Sequence, residues 1–185
     1  FSHKDWHLLN LEERFFTPRY LEYYGKINFL KGGLVFADKI TTVSPTYAEE
    51  IKTTEQGFGL DGVLRERAKD IAGILNGADY RIWNPKIDAL ISQRYSLDDL
   101  SGKKSCKAEL QSTFNLNIDP DIPLIGMVSR LTTQKGLDLL EKAMDDLLSR
   151  DIQFVLLGAG DMSYERIFCK MPERFSGRVG VKITF

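Results

Sequence analysis

From residue 123 onward the sequence alternates in a way that leaves few folds open. "PLIGMVSRL" (123–131) is a continuous apolar run. Leu137, Leu140, Met144, Leu147 and Leu148 then mark one face of a helix, and "IQFVLLGAG" (152–160) is a second continuous apolar run. A further helix over 163–174 and a strand over 178–185 complete the pattern. Parallel strands need helical crossovers, and strands covered on both faces carry unbroken apolar runs in place of alternating ones. Strand, helix, strand, helix, strand therefore predicts an α/β fold: a doubly wound parallel sheet with right-handed connections.

The upstream half is less regular. Residues 20–37 place Ile27, Leu30, Leu34 and Ala37 at helical spacing. "KITTVSP" (39–45) is β-branched and stops at Pro45, which reads as a short strand. Pro45 can also occupy the first turn of a helix over "PTYAEEIK", where Glu49 and Glu50 lie early enough to suit the positive end of the dipole. "KTTEQGFGLDG" (52–62) is polar and holds three glycines. It reads as a mobile loop, and with the following residues to 70 as the expected first site of trypsin cleavage. "ERAKD" (66–70) reads as a solvated helix face. "IAGILNG" (71–77) reads as a buried strand ending in a turn, "ADYRIWNPKID" as irregular chain broken by Pro85, and 103–114 as a lysine-rich helix.

Composition narrows the function classes. A chain of 185 residues can bury one good core or two modest ones. A net charge of −1 gives no global argument for nucleic acid or a membrane surface. No apolar run approaches the roughly 20 residues of a membrane span. Cys106 and Cys169 form no disulfide framework and have no metal-ligand spacing, so a reducing cytosol fits. The chain opens "FSHKDW" and closes "GRVGVKITF" on an apolar strand. A strand is rarely left without a neighbour, so the sequence is expected to be an excerpt of a longer protein.

The chemistry concentrates in "VSRLTTQKGLDLL" (128–140). In an open parallel sheet, ligands sit beyond the carboxyl ends of the strands, and this loop leaves such an end for a helix amino terminus. Backbone N–H groups and the helix dipole favour an anion there. Arg130 and Lys135 add two cations whose natural partner is a phosphate or diphosphate, and Gly136 allows close backbone approach. On spacing alone, an exposed basic turn explains the same residues equally well. No Walker-type sequence is present, and the glycines of "LLGAGD" (156–161) are too few for a dinucleotide fingerprint. Asn76-Gly77 is, by itself, a common turn pair.

Three stretches in register, "INFLKGGLVFADKITTVSPTYAEEI" (27–51), "GILNGADYRIWNP" (73–85) and "VSRLTTQKGLDLL", closely resemble bacterial glycogen synthase and plant starch synthase. "LLGAGD" is similar to that family as well. The resemblance implies a retaining glycosyltransferase that moves glucose from ADP-glucose to the non-reducing end of an α-1,4-glucan. It implies a GT-B-type architecture of two Rossmann-like domains with the active site in the cleft between them. Residues 1–71 would be the end of the N-terminal, acceptor-side domain, and 72–185 the truncated start of the C-terminal, nucleotide-sugar-binding domain. The family's diphosphate-binding arginine and lysine map onto Arg130 and Lys135. Its sugar-lining asparagine maps onto Asn76. No metal and no cofactor are implied, because ADP-glucose is a substrate and the two cations supply the charge. The partners implied are ADP-glucose and the glucan, with neither nucleic acid nor membrane, in the cytoplasm or, in a plant, the plastid.

Several family parts have no counterpart here. The "KxGGL" loop, the "HNLAYQG" histidine element and the "ExCGL" glutamate element are all absent, so no catalytic residue is expected within 1–185. His3 and His7 do not correspond to the family histidine and read as surface residues. Tyr20, Tyr23, Tyr24 and Phe29 read as packing more than as a glucan platform, and Trp83 as packing or an anchor of the domain crossing. Ser44 has no base beside it that would make it a nucleophile. Two other functions fit the same residues: another nucleotide-sugar glycosyltransferase of the same fold, or a non-catalytic nucleotide- or glucan-binding module.

Overall fold

The computed structural model describes residues 1–184. The chain divides into two compact units, Phe1–Ala78 and Asp79–Phe185. The sequence placed the crossing at 71/72.

In the first unit, a 3-10 segment (His3–Leu9) buries Trp6 against Leu21 and Ile27. Strands β1 (Glu22–Tyr23) and β2 (Lys26–Ile27) form an antiparallel hairpin. Its turn residues Tyr24 and Gly25 both have positive φ, 49° and 75°. That is the backbone a two-residue hairpin demands, and it ends the helical reading of 20–37 at its upstream half. Helix α1 (Phe29–Phe36) begins only after Asn28, whose Oδ1 accepts from the Lys31 N–H at 3.0 Å. Lys31 is buried, and its Nζ donates to the carbonyls of Pro18 and Glu22, tying the helix to the hairpin.

Strand β3 (Ile40–Thr42) leads into α2 (Pro45–Glu50), capped by Ser44 Oγ and opened by Pro45. The stretch read as a mobile loop is folded. The Gly57 N–H bonds to Thr53 O at 2.8 Å and Arg65 reaches back to Lys52 O at 2.9 Å. A Cβ on Gly57 would lie 2.5 Å from that of Asp61. Helix α3 (Asp61–Glu66) follows. Strand β4 (Ile71–Gly73) runs parallel to β3, and a Cβ on Gly73 would sit 2.3 Å from Pro45 Cα. Only glycine lets the strand lie this close to the start of α2. β4 is half-exposed, contrary to the buried strand expected, because β3 is its one partner among the described residues.

"ERAKD" is not a free helix face. Arg67 is half-buried and donates to the carbonyls of Leu34, Val35, Ala37 and Asp38, so it caps the carboxyl end of α1. Asp70 holds Arg67 and Lys39 together at 3.1 and 2.9 Å.

In the second unit, residues up to 101 carry neither helix nor strand. Then come α4 (Gly102–Thr113), β5 (Leu124–Val128), α5 (Leu137–Leu148), β6 (Gln153–Leu157), α6 (Met162–Cys169), α7 (Met171–Arg174) and β7 (Val179–Lys182). The strands are parallel in the order β5-β6-β7. Alternation along each strand sorts the two faces. Met127, Phe154, Leu156, Val179 and Val181 meet Leu137, Met144, Leu148 and Phe168 of α5 and α6 in one core. Gln153 faces α4, with Gln111 donating to its Oε1 at 2.7 Å. Helices on both faces make the sheet doubly wound, as the alternation predicted. The helix read over 163–174 is two, parted at Lys170, with Pro172 in the first turn of α7. β5 pairs only with β6 among the described residues, and its Ile125 and Val128 are exposed.

Candidate functional site

The apolar run of β5 stops at Val128, and the chain crosses the carboxyl end of the sheet before α5. Leu131, fully buried, pins the middle of this crossing in the core. Arg130, immediately before it, is exposed. A 3-10 turn (Thr133–Lys135) carries the chain to Gly136, whose φ of 71° turns it into α5. A Cβ there would meet nothing closer than 4.0 Å, so the demand on Gly136 is conformational and not spatial. Lys135 is exposed on the last residue of the turn. Neither Arg130 nor Lys135 is in an ion pair among the described residues. Two unpaired cations five residues apart therefore flank one short loop, next to the positive end of α5.

Beside Arg130 lies a hollow of about 310 Å³ lined by Val128, Ser129, Arg130, Leu157, Gly158 and Thr184. Its walls are the carboxyl ends of β5 and β6 and the residues after β7. This is the position at which parallel α/β sheets take ligands. Three carboxyls are held below their ordinary value: Asp70 by Lys39 and Arg67, Asp79 by Arg81, and Asp99 by the Ser101 N–H. All three lie outside this loop.

Asn76 sits elsewhere in the chain's organisation. It is exposed, three residues past the carboxyl end of β4, in the first unit; the two cations are in the second. His3 stacks on Phe16 with ring centroids 3.9 Å apart and lies 3.8 Å from Glu13. His7 Nδ1 bonds to Lys4 O. Tyr20 stacks on Phe36 and the Tyr23 hydroxyl donates to Phe58 O, so both are engaged in packing; Tyr24 and Trp83 are largely exposed. Ser44 Oγ is occupied as the cap of α2.

Sequence reasoning weighed "LLGAGD" as a phosphate fingerprint and as a family likeness, and missed what its glycines do. A Cβ on Gly158 would fall 1.9 Å from Ser129 O, and one on Gly160 would fall 2.4 Å from Leu131 O. These glycines let the loop after β6 lie against the arginine loop. The signal was present, two glycines one residue apart at a strand end, but close approach between loops is invisible until both loops are placed.

Comparison with known proteins places this geometry in a family. Residues 1–66 match the starch synthase catalytic domain. Glycogen synthase from Pseudothermotoga lettingae is 52% identical over 165 residues, covering 89% of this chain and 34% of that protein. Glycogen synthase from Geobacillus stearothermophilus is 48% identical over 178 residues, covering 96% and 37%. Among solved structures, the catalytic domain of starch synthase IV from Arabidopsis thaliana, bound to ADP and acarbose, matches with a TM-score of 0.86 and 32% identity over 95% of this chain and 37% of that one. The chain thus spans 34 to 37% of the length of these proteins. With parallel α/β units and this likeness across nearly its whole length, the chain belongs to the glycogen synthase and starch synthase family of GT-B-type glycosyltransferases.

Proposed function

We propose that the chain contributes part of the donor-binding half of an enzyme that moves glucose from ADP-glucose to the non-reducing end of an α-1,4-glucan, with retention. The observation that carries this reading is the pair Arg130 and Lys135, exposed and without an ion pair among the described residues, at the carboxyl end of β5 beside a hollow. Departure of ADP leaves negative charge on the β-phosphate. Preorganised cations at that point stabilise the transition state more than the ground state, and they do so without a metal. The relatives' names and the ADP and acarbose held by the Arabidopsis enzyme support this assignment. Asn76 is proposed to line the sugar end of the site. The family's histidine and glutamate elements would come from sequence outside residues 1–185. Among the described residues no helix is long and apolar enough to cross a membrane; a cytoplasmic or plastid setting belongs to the same proposal.

The test is donor kinetics in the complete polypeptide. A charged contact to phosphate is worth about 1.5–3 kcal/mol, or about 10- to 150-fold in a rate or equilibrium constant. Arg130→Ala and Lys135→Ala should each lower kcat/KM for ADP-glucose by that order, with the larger share in kcat if the contact tightens as ADP leaves. KM for glycogen should stay put. Unchanged donor kinetics in both variants would return the loop to an ordinary basic turn. Tight ADP binding with no transfer by the complete wild-type protein would favour the non-catalytic binding module.

A further inference from the structure

Arg130 is held on both sides by the last residue of β6 and the loop that follows it. The Ser129 N–H donates to Leu157 O at 3.1 Å, and the Leu131 N–H donates to Ala159 O at 3.0 Å. In return the Asp161 N–H donates to Leu131 O at 2.7 Å, and Leu131 and Gly160 form a parallel bridge beyond the named strands. The carbonyl of Arg130 is also engaged, accepting from Ser129 Oγ at 2.8 Å and from the Thr132 N–H at 3.1 Å. Flanked this way, the arginine has a fixed backbone and only its side chain is free to adjust.

The second loop is itself anchored. The Gly158 N–H donates to Lys182 O at 3.1 Å, and Glu165 Oε1 accepts from the Gly160 N–H at 2.9 Å. Neither glycine has a positive φ, so an alanine is not barred by backbone conformation. Space is what bars it. The nearest atoms to a new Cβ are the carbonyl oxygens of Ser129 and Leu131, the two residues on either side of Arg130. Backbone atoms cannot rotate away as a side-chain tip can, so any side chain at 158 or 160 pushes the arginine loop outward.

We infer that Gly158 and Gly160, with Glu165 behind them, are positioning residues for Arg130: a clasp that sets where the guanidinium stands at the mouth of the hollow. The inference deepens the proposed function, since it rests on Arg130 contacting the donor's diphosphate. Catalytic contacts lose much of their value when misplaced by about 1 Å, even by a change remote from the chemistry. A carbonyl oxygen displaced from 2.4 Å to ordinary contact must move by about that much.

The test is a double-mutant cycle in the complete polypeptide, read as kcat and KM for ADP-glucose with glycogen as acceptor. Gly160→Ala should lower kcat/KM at least 10-fold, mostly in kcat, and Glu165→Ala, which removes a bond without adding bulk, about threefold. In an Arg130→Ala background both effects should vanish, because the residue being positioned is gone. If Gly160→Ala fails to fold, the Glu165→Ala arm carries the same cycle. Losses of equal size in both backgrounds would overturn the clasp while leaving the proposed function intact. Full activity in folded Gly160→Ala would overturn it too. An Arg130→Ala enzyme with unaltered donor kinetics would remove the reading of Arg130, and the clasp with it.

Discussion

Gln111 and Gln153 are both sealed from solvent, yet neither is a wasted polar group. Gln111 Nε2 donates to Asp119 O and to Gln153 Oε1, and Gln153 Nε2 donates to Asn117 O at 2.6 Å. This relay ties α4, the loop after it and the first residue of β6 into one unit. Gln153→Met would keep the volume and strand the other groups, so it should cost about 1–3 kcal/mol, the penalty for leaving buried partners unpaired. A urea midpoint equal to that of the parent protein would show that the relay adds nothing. Arg130 is the converse case, exposed and without an ion pair among the described residues, so its loss should spare stability. Arg130→Lys should recover only part of the donor kinetics lost in Arg130→Ala, because a planar fork becomes a point charge.

Among elements, α1 depends on a residue remote from it in sequence. It has eight residues and two glycines, Gly32 and Gly33, which makes it a weak helix by propensity. Asn28 caps its start, and the guanidinium of Arg67 collects the carbonyls at its end. Arg67→Met should therefore destabilise the first unit by about 1.5–3 kcal/mol, seen as lost amide protection in α1 before α5. The carboxyl of Asp70, which steadies Arg67, is held below its ordinary value by Lys39 first and Arg67 second. A carboxyl with a lowered folded-state value binds its proton more readily in the unfolded chain. Its contribution is therefore present above the unfolded value, about 4, and is lost as pH falls through the folded one. The stability difference between the parent protein and Asp70→Asn should be full at pH 7 and shrink on acidification toward and below that value. A difference constant with pH would refute the assignment.

For the whole molecule, the long irregular stretch 74–101 is the feature that stands apart. It joins two units through residues with neither helix nor strand, and Tyr80, Ile82, Trp83, Leu90 and Leu97 in it are largely exposed. Structureless segments of this length in compact domains are linkers or functional loops. Trypsin should cut first at Arg81, Lys86 or Arg94, all exposed, and release fragments ending near the division at Ala78. First cleavage at Lys52 or Arg65 would instead restore the mobile-loop reading of 52–70. The chain spans 34 to 37% of the relatives' length, and under the proposed function the histidine and glutamate elements come from sequence outside residues 1–185. Residues 1–185 alone should then incorporate no glucose from ADP-glucose into glycogen; measurable incorporation by the purified chain would disprove this. A cleft enzyme needs both walls.

The sequence by itself determined the parallel α/β unit. Continuous apolar runs at 123–131 and 152–160 and the leucine face between them admit little else, because period and apolar continuity report burial directly. It also identified the cations at the strand end, since Arg130 and Lys135 announce themselves by residue type and position. It misread the upstream half of 20–37, where two residues of turn geometry at Tyr24-Gly25 overrode a helical spacing that holds only from Phe29 to Phe36. It misread 66–70, where Arg67 was assigned to solvent because its partners are the carbonyls of residues 34–38. Tertiary structure alone decided such contacts. The clasp of Gly158 and Gly160 on the arginine loop, the Gln111–Gln153 relay and the seat of Gly73 on Pro45 each join residues distant in the chain at separations near or below van der Waals contact. A one-dimensional pattern records what a residue is and how often its kind recurs. It holds no record of how closely two remote backbones approach, and at those points only the packed chain specifies the residue.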